Sequence, residues 1–419
     1  MLGLNFQQRQ GGGCPDSSRT RTERRGREIP EIDLTDQGGS SVKIVEKLRL
    51  GRLATFLLNK RLPVYNWFQF KEGFSRDLVF LLAETWGLGE GDLALDPFVG
   101  CGTTSLACKQ LGIDSIGYDV HPIMLFASRV KLREYNVEEL RAAVRGLIKS
   151  KFERPEVEAP GFVTRVFPKP VLEDITFFKR KILDAEDEGV REFLFLGLMN
   201  AAMRCSWAHK DGAAIRVVKK PTPPLRKALR RQLLRMCNDV ERFERKGSKA
   251  TIERCDARKL KLEDESVDAV ITSPPYLGKL EYTHAYRIEQ QLLDLGAPTP
   301  QQLIGVREEG ALEDFSEVEE FVEGKPLDAK LYFKDMFAAI RELYRVCKPG
   351  ARIALVTSDA CSPEGVIEVC VPLSELAEKT GFKAKRMLVV NRRFCTTPAR
   401  KKVGVTQEGL LLWEKRASK

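Results

Sequence analysis

A doubly wound α/β sheet interrupted by a mostly helical insertion is the fold this sequence predicts, and three features predict it. Apolar runs of strand length alternate with helical patterns toward both ends of the chain. A glycine turn joins one of these runs directly to a helix, and residues 131–249 carry helical periodicity over most of their length. The 419 residues suffice for two domains, or for one large core with an insertion. With 43% hydrophobic and 31% charged residues, the composition is that of a globular protein with a charge-rich surface. No apolar run approaches the roughly 18 residues of a membrane span. The first residues lack the apolar stretch of a signal peptide, so a cytoplasmic protein is expected.

The glycine turn is the centre of the pattern. An apolar run, Leu93 to Leu95, leads into Asp96-Pro97-Phe98-Val99-Gly100-Cys101-Gly102-Thr103-Thr104 and then a helical pattern ending at Leu111 and Gly112. Gly100 and Gly102 permit a sharp turn and leave room for a ligand against the backbone. The helix start offers free N–H groups beside the hydroxyls of Thr103 and Thr104. The next strand, Asp114 to Asp119, ends in an acid about 20 residues after the turn, the spacing at which a carboxylate accepts ribose hydroxyls in a nucleotide-binding βαβ unit. The turn lacks the lysine of a P-loop, and Asp96 would repel a pyrophosphate. A ligand with a cationic amino-acid portion suits it better, and S-adenosylmethionine is such a ligand.

Upstream, residues 1–41 are rich in Gly, Ser, Arg and Gln and read as a disordered basic arm, more readily a solvated tail than a nucleic-acid contact. Apolar spacing predicts a helix within Val42 to Leu62. The aromatic stretch Trp67-Phe68-Gln69-Phe70-Lys71-Glu72-Gly73-Phe74-Ser75 either packs in the core or covers a ligand, and Ser75 is placed to cap a helix from Arg76 to Trp86.

The insertion predicts helices at Val137 to Leu147, Val171 to Leu183, Val190 to Met203 and Leu225 to Phe243. They are broken at Ser206 to Gly212 and followed there by an alternating run, Ala214 to Lys219. Between Arg216 and Lys249 there are 12 Lys and Arg against three Asp and Glu, a net +9 where the whole chain carries +10. Charge confined to one segment is the footprint of a phosphate-binding surface, whereas merely solvated faces mix signs. Arg216, Lys219, Lys220, Arg226, Arg230 and Arg231 are the candidate contacts.

After the insertion the α/β pattern resumes. Strands are expected at Ala250 to Arg254 (ending near Asp256), Val267 to Ile271, Arg352 to Thr357, Arg386 to Val390 and Gly409 to Trp413. Helices are expected at Leu331 to Val346 and Leu373 to Lys379, stopped by Pro349-Gly350 and by Gly381. The acidic residues 308–323 read as an exposed loop and helix. Ten cysteines without a Cys-x-x-Cys pair, and only three histidines, argue against a zinc site or other metal and for reduced core thiols. His121 and His284 receive no role.

The second loop with legible chemistry is Ser273-Pro274-Pro275-Tyr276, again at the end of an apolar run. Two prolines fix φ and remove N–H groups, so the loop is rigid and presents acceptors. Ser273 Oγ and the Pro274 carbonyl can accept hydrogen bonds from an exocyclic amine, whose lone pair is otherwise conjugated with its ring. Holding both N–H groups favours a pyramidal nitrogen able to attack an electrophilic methyl, and Tyr276 offers a face for an extruded base. In a doubly wound sheet Asp96 to Thr104, Asp119, Asp256 and Ser273 to Tyr276 all come to the carboxyl edge of the strands.

Asp96-Pro97-Phe98-x-Gly100-x-Gly102-Thr103 together with Ser273-Pro274-Pro275-Tyr276 resembles the motif pair of the exocyclic-amino DNA methyltransferases. Phe68-x-Phe70-Lys71-Glu72-x-Phe74-Ser75 is similar to the segment that covers the methionine part of the cofactor in that family. The resemblance spans residues 60–130 and 250–415. It implies a Rossmann-like class I methyltransferase sheet formed by 42–130 and 250–419, with target recognition in 131–249. It also implies S-adenosylmethionine bound by Phe70, Lys71, Phe74, Ser75, Asp96, Pro97, Phe98, Gly100, Gly102, Thr103, Thr104, Asp119 and Asp256, with Ser273, Pro274, Pro275 and Tyr276 as the catalytic loop.

In this family Ser-Pro-Pro-Tyr is usual for N4 of cytosine and Asn- or Asp-Pro-Pro-Tyr for N6 of adenine, so a site-specific cytosine-N4 enzyme of restriction-modification type is implied. Its partners would be DNA and a cognate restriction endonuclease. Cytosine C5 chemistry is disfavoured because the chain has no Pro-Cys dipeptide. Two enzymatic alternatives stay open: an RNA cytidine-N4 methyltransferase, since the amine chemistry is identical, and a DNA adenine-N6 enzyme. A binding protein without turnover is disfavoured by the intact Asp96, both glycines and the complete second loop. Tyr282 and Tyr286, one helical turn apart, either line a base pocket or pack in the core.

Overall fold

The computed structural model describes residues 42–157, 159–211, 214–278, 282–308, 310, 313–396 and 402–416. The basic arm expected over 1–41 lies outside the described residues. All described residues belong to one unit, Asp33–Lys419.

The chain enters at β1 (Lys43–Glu46), makes short 3₁₀ turns, and reaches helix α1 (Arg76–Trp86). The helix expected over Val42 to Leu62 is not formed. Lys43 to Glu46 instead pair in parallel with Arg386 to Val389 and form the edge of the sheet. The sheet ladder satisfies this backbone, and the apolar residues do not share a helical face: Leu50 and Phe56 are buried while Ile44, Leu48 and Leu57 are exposed. Ser75 caps α1 as expected, its side chain accepting from the Asp77 N–H.

The first βαβ unit follows as β2 (Leu93–Asp96), α2 (Thr103–Leu111), β3 (Asp114–Asp119) and α3 (Pro122–Leu132). The insertion is helical as its periodicity predicts: α4 (Val137–Lys149), α5 (Gly161–Val166), α6 (Lys169–Leu183), α7 (Glu188–Arg204) and α8 (Leu225–Arg242). Its alternating run forms a hairpin, β4 (Ala208–Asp211) with β5 (Ala214–Val217). Then come β6 (Ala250–Arg254), β7 (Val267–Thr272), the short helices α9 (Tyr282–Ala285), α10 (Arg287–Leu292) and α11 (Glu319–Val322), and α12 (Leu327–Val346). The chain closes with β8 (Cys347–Ser358), the small hairpin β9 (Ala360–Ser362) and β10 (Gly365–Ile367), α13 (Cys370–Thr380), β11 (Phe382–Thr396) and β12 (Lys402–Lys415).

Among the described residues the main sheet has eight strands in the order β1-β11-β12-β8-β7-β2-β3-β6. Only β12 runs against the rest, pairing antiparallel with both neighbours. This is a Rossmann-like doubly wound sheet. The order reverses between β2 and β7, so the crevice for a ligand opens at their carboxyl ends. One apolar cluster packs α2 and α3 with the insertion helices; a second packs α12 and α13 against the central strands. Among the described residues no helix is long and apolar enough to cross a membrane.

Two cysteines depart from the expected reduced core thiols. Cys361 on β9 and Cys395 on β11 are joined as a disulfide, their Cα atoms 5.4 Å apart, a spacing a bridge can span. Cys361 is exposed. Seven other cysteines among the described residues are buried free thiols, in keeping with the expectation.

The switch point is held by the buried Asp96 carboxylate. Thr104 Oγ1 donates to Oδ2 at 2.8 Å, Thr272 Oγ1 to Oδ1 at 2.6 Å, and the Phe98 N–H to Oδ1 at 3.2 Å. The ends of β2 and β7 and the first turn of α2 are thus tied to one side chain. Burial nonetheless pushes Asp96 up to about 6, with the Thr272, Thr104 and Phe98 bonds opposing the shift. A raised carboxyl stabilises the fold below its unfolded pKa and loses that contribution as pH rises through the folded value. Asp96→Asn does not ionise. Its stability relative to wild type is therefore expected to rise by up to about 3 kcal/mol between pH 4 and 7, read from urea midpoints at each pH. A constant difference across this range would show that Asp96 is not raised.

Candidate active site

The glycine loop between β2 and α2 is shaped from behind by α3. Ser128 Oγ donates to the Gly100 carbonyl at 2.7 Å, and the fully buried Lys131 donates to the Cys101 carbonyl. Gly100 has φ +49°, and a Cβ there would lie 2.9 Å from the Phe70 ring. A side chain at this position is therefore excluded twice, by backbone conformation and by the aromatic residue that approaches it. Phe70 is delivered by the 67–75 segment, which is pinned at several points. Trp67 Nε1 donates to Asp239 Oδ2 at 3.0 Å, Asn200 Nδ2 donates to the Trp67 carbonyl, and the buried Asn59 donates to the Phe74 carbonyl while accepting from the Arg76 N–H.

Beside the loop, Asp119 closes β3. Its Oδ2 accepts from the Gly100 N–H at 3.0 Å and its Oδ1 from the His121 N–H at 2.9 Å. Burial pushes this carboxyl up to about 6 against hydrogen bonds from the His121, Gly100 and Val120 backbone. His121 is buried, and burial pushes its imidazole down to about 4; its ring nitrogens face Gln290 and Thr283. Asp256, just beyond β6, is gripped by the Arg258 guanidinium through both oxygens.

These strand ends enclose a cavity. Of the residues the sequence singled out, Phe70, Pro97, Phe98, Gly100, Asp119, Asp256, Ser273 and Pro275 line it. Lys71, Phe74, Ser75, Asp96, Gly102, Thr103, Thr104, Pro274 and Tyr276 do not. Asp96, Thr103 and Thr104 sit behind the wall, where Asp96 and Thr104 link the loops; Lys71 faces a second, neighbouring cavity. Tyr276 points its hydroxyl at Glu408 of β12, 3.3 Å away. His121 and the 302–304 segment carry no role in the sequence reading, and Glu72 enters it only within the methionine-covering segment, yet all line the cavity. Their only sequence signal is adjacency for Glu72 and His121; residues 302–304 reach the site through tertiary folding alone.

The donor set suits an adenosine-bearing sulfonium. Carboxylates stand at two strand ends, apolar walls come from Phe70, Phe98, Val120, Met124 and Ile304, and the glycine backbone leaves open space. Thr272, directly before Ser273, is bonded to Asp96, so the loop that would present an amine is fixed relative to the cofactor loop.

The candidate phosphate contacts divide. Helix α8 buries Leu225, Leu229, Leu233, Met236, Cys237 and Val240 and leaves Arg230 and Arg231 exposed on the other side. Arg216, Lys219 and Lys220 are exposed on and after β5, with Lys219 5.6 Å from the Trp207 ring. Arg226 is committed to packing: it donates to the Ile148 and Ser150 carbonyls and lies 4.9 Å from the Phe178 ring.

Comparison with known proteins agrees with this geometry. A family model described as DNA methylase, of the N6 and N4 type, matches residues 84–125, the stretch that carries the glycine loop and Asp119. The chain is 26% identical to the Type II methyltransferase M.BsoBI of Geobacillus stearothermophilus, over 87% of this chain and 88% of that protein. It is 25% identical to M.AvaI of Nostoc sp., over 81% and 83%. It is 22% identical to M.MjaII of Methanocaldococcus jannaschii, over 49% and 58%. The glycine loop, the second loop at the neighbouring strand end and these relatives together make the chain similar to the exocyclic-amino DNA methyltransferases.

Proposed function

We propose that the protein is a site-specific DNA methyltransferase that methylates the exocyclic amine of a base extruded from DNA, with N4 of cytosine as the target. The observation that carries this reading is the placement of Ser273 and Pro275 on the same cavity wall as Gly100 and Asp119. S-adenosylmethionine, the cofactor, supplies an electrophilic methyl on a sulfonium. Asp119 keeps lone-pair capacity for ribose hydroxyls beside the backbone N–H groups of Gly100, Val120 and His121 that it accepts. The apolar walls exclude water from the reacting centre.

Ser273 Oγ and the Pro274 carbonyl accept from the target amine and turn its lone pair out of conjugation. The rigid prolines fix the line of attack. The Tyr276 ring is steadied through its hydroxyl by Glu408 and offers a stacking face. The exposed cations on α8 and after β5 lie in the segment assigned to DNA contact. Relatives named Type II methyltransferases support site-specific action, with an endonuclease of the same specificity as the partner to look for.

Mass spectrometry of nucleosides from DNA and from total RNA, in cells with and without the gene, tests the reading. N4-methyldeoxycytidine that depends on the gene is the expected product. Methyladenine would overturn the base assignment, and a methylated cytidine confined to RNA would overturn the polymer.

Ser273→Ala is expected to lower kcat by about 100-fold while the cofactor Kd stays within about twofold; equal losses in both would make Ser273 a binding residue instead. Asp119→Asn is expected to weaken cofactor binding by about tenfold or more in calorimetry, and unchanged affinity would remove Asp119 from the site.

DNA affinity is expected to fall steeply with salt. Arg230→Ala and Arg231→Ala should each reduce the log-log slope by about one. Slopes equal to wild type would mean that α8 does not touch phosphates.

A further inference from the structure

Residues 301–307 supply part of the cavity wall without belonging to a strand or an α-helix. Only the 3₁₀ turn Pro300–Gln302 precedes Leu303 and Ile304, which are half-buried and line the cavity. Such a segment is positioned by whatever ties it down. Here most of the ties run to one side chain. Asp335 of α12, with 3% of its side chain exposed, accepts from the Gly305 N–H at 2.8 Å. It also accepts from Arg307 through both oxygens, at 3.0 and 2.6 Å. Gly305 has φ +74°, and a Cβ there would lie 3.3 Å from Tyr332 Cβ, so the tied backbone rests directly on α12.

The same carboxylate lies 2.9 Å from Arg258 Nη1. Arg258 in turn donates to both oxygens of Asp256 and to the Gln301 carbonyl. Asp256, Arg258, Asp335, Arg307, Glu313 and Lys334 therefore form a run of alternating charge. It joins one lining residue, Asp256, to the strap that carries Leu303 and Ile304. Removing a charge from the buried middle of such a run leaves its neighbours unpaired away from water, so the effect reaches both ends. The strand order β7-β2-β3-β6 puts Asp256, beyond β6, at the end of the cavity remote from Ser273, beyond β7.

We infer that Asp335 is a positioning residue that latches the 301–307 strap over the adenosine portion of the cofactor, and so sets how long cofactor and spent cofactor stay bound. The inference rests on the methyltransferase reading and deepens it. Asp335 does not line the cavity and acts through Gly305, Arg307 and Arg258. S-adenosylmethionine and S-adenosylhomocysteine share the adenosine portion and differ only at the sulfur. A strap closed on the shared portion slows the departure of both alike, while the methyl-transfer step at the Ser273 end does not pass through the latch.

The test uses the full-length protein loaded with tritiated S-adenosylmethionine or S-adenosylhomocysteine, with dissociation timed after a chase of unlabelled ligand. Arg307→Ala and Asp335→Asn are each expected to speed the release of both ligands by about tenfold or more. In both variants kcat at saturating cofactor should fall by no more than about twofold while the cofactor KM rises. The double variant is expected to release cofactor no faster than Asp335→Asn alone, because both changes break one tie. Amide hydrogen exchange in the 299–307 peptide should slow when cofactor binds to wild type, and this protection should be lost in Arg307→Ala. Should Asp335→Asn not fold, Arg307→Ala carries the test, its side chain being the more exposed of the pair.

Release rates within about twofold of wild type in the folded variants would overturn the latch even where wild-type protein methylates DNA. So would a kcat that falls in parallel with thermal stability, which is the signature of a purely structural role. Accelerated release in the variants of a protein that transfers no methyl group to DNA would support the latch and overturn the methyltransferase reading instead.

Discussion

Everything at the switch point hangs from one buried carboxylate. Asp96 ends β2, and its acceptors gather a hydroxyl from the first turn of α2, a hydroxyl from the last residue of β7 and a backbone N–H from the loop between. Neither loop can move without breaking a bond to a group that has no water to replace it. The separation between the glycine loop and Ser273 is set by this cluster, since Thr272 is the neighbour of Ser273 in the chain. The spacing of the two loops is thus a property of the sheet edge rather than of either loop alone.

The same constraint explains why Asp96 is a prominent letter in the sequence and yet absent from the cavity wall. Its charge suggested a direct partner for a cationic ligand. The fold spends that charge on internal donors instead, and Asp119, one strand over, faces the open space. A pattern of residues along a strand and turn reveals that an acid is needed there. It does not reveal on which side of the turn the acid's oxygens point.

Much of the architecture was legible because local and tertiary signals agree. The glycine turn, Ser75 as a cap, the helices of the insertion and the strand leading into Ser273 all follow from periodicity and capping, and all appear close to the expected residues. The failure at Val42 to Leu62 has a different origin. That stretch takes its structure from pairing with β11, a strand almost 350 residues away, which no local pattern encodes. The Cys361–Cys395 bridge is hidden for the same reason, since β9 and β11 meet only in the folded sheet. In the site, Ser273 and Gly100 carry motifs, whereas Gln302 to Ile304, Asn59 and Glu408 reach it by long-range packing and carry none. The basic segment was legible as charge but not as geometry. Arg226 sits in it, yet its guanidinium holds two carbonyls of the neighbouring helix end and is unavailable to a phosphate.

The insertion leaves the sheet after α3 and re-enters at β6, and β6 pairs directly with β3 from Ser115 to Asp119. Entry and exit therefore lie at the same edge of the molecule, so the loop-closure cost of carrying such a segment rises only slowly with its length. The strands that hold the chemistry stay paired whatever the inserted chain contains. A sheet of this kind can carry different inserted segments at that edge without disturbing the strand pairing on which its two loops depend.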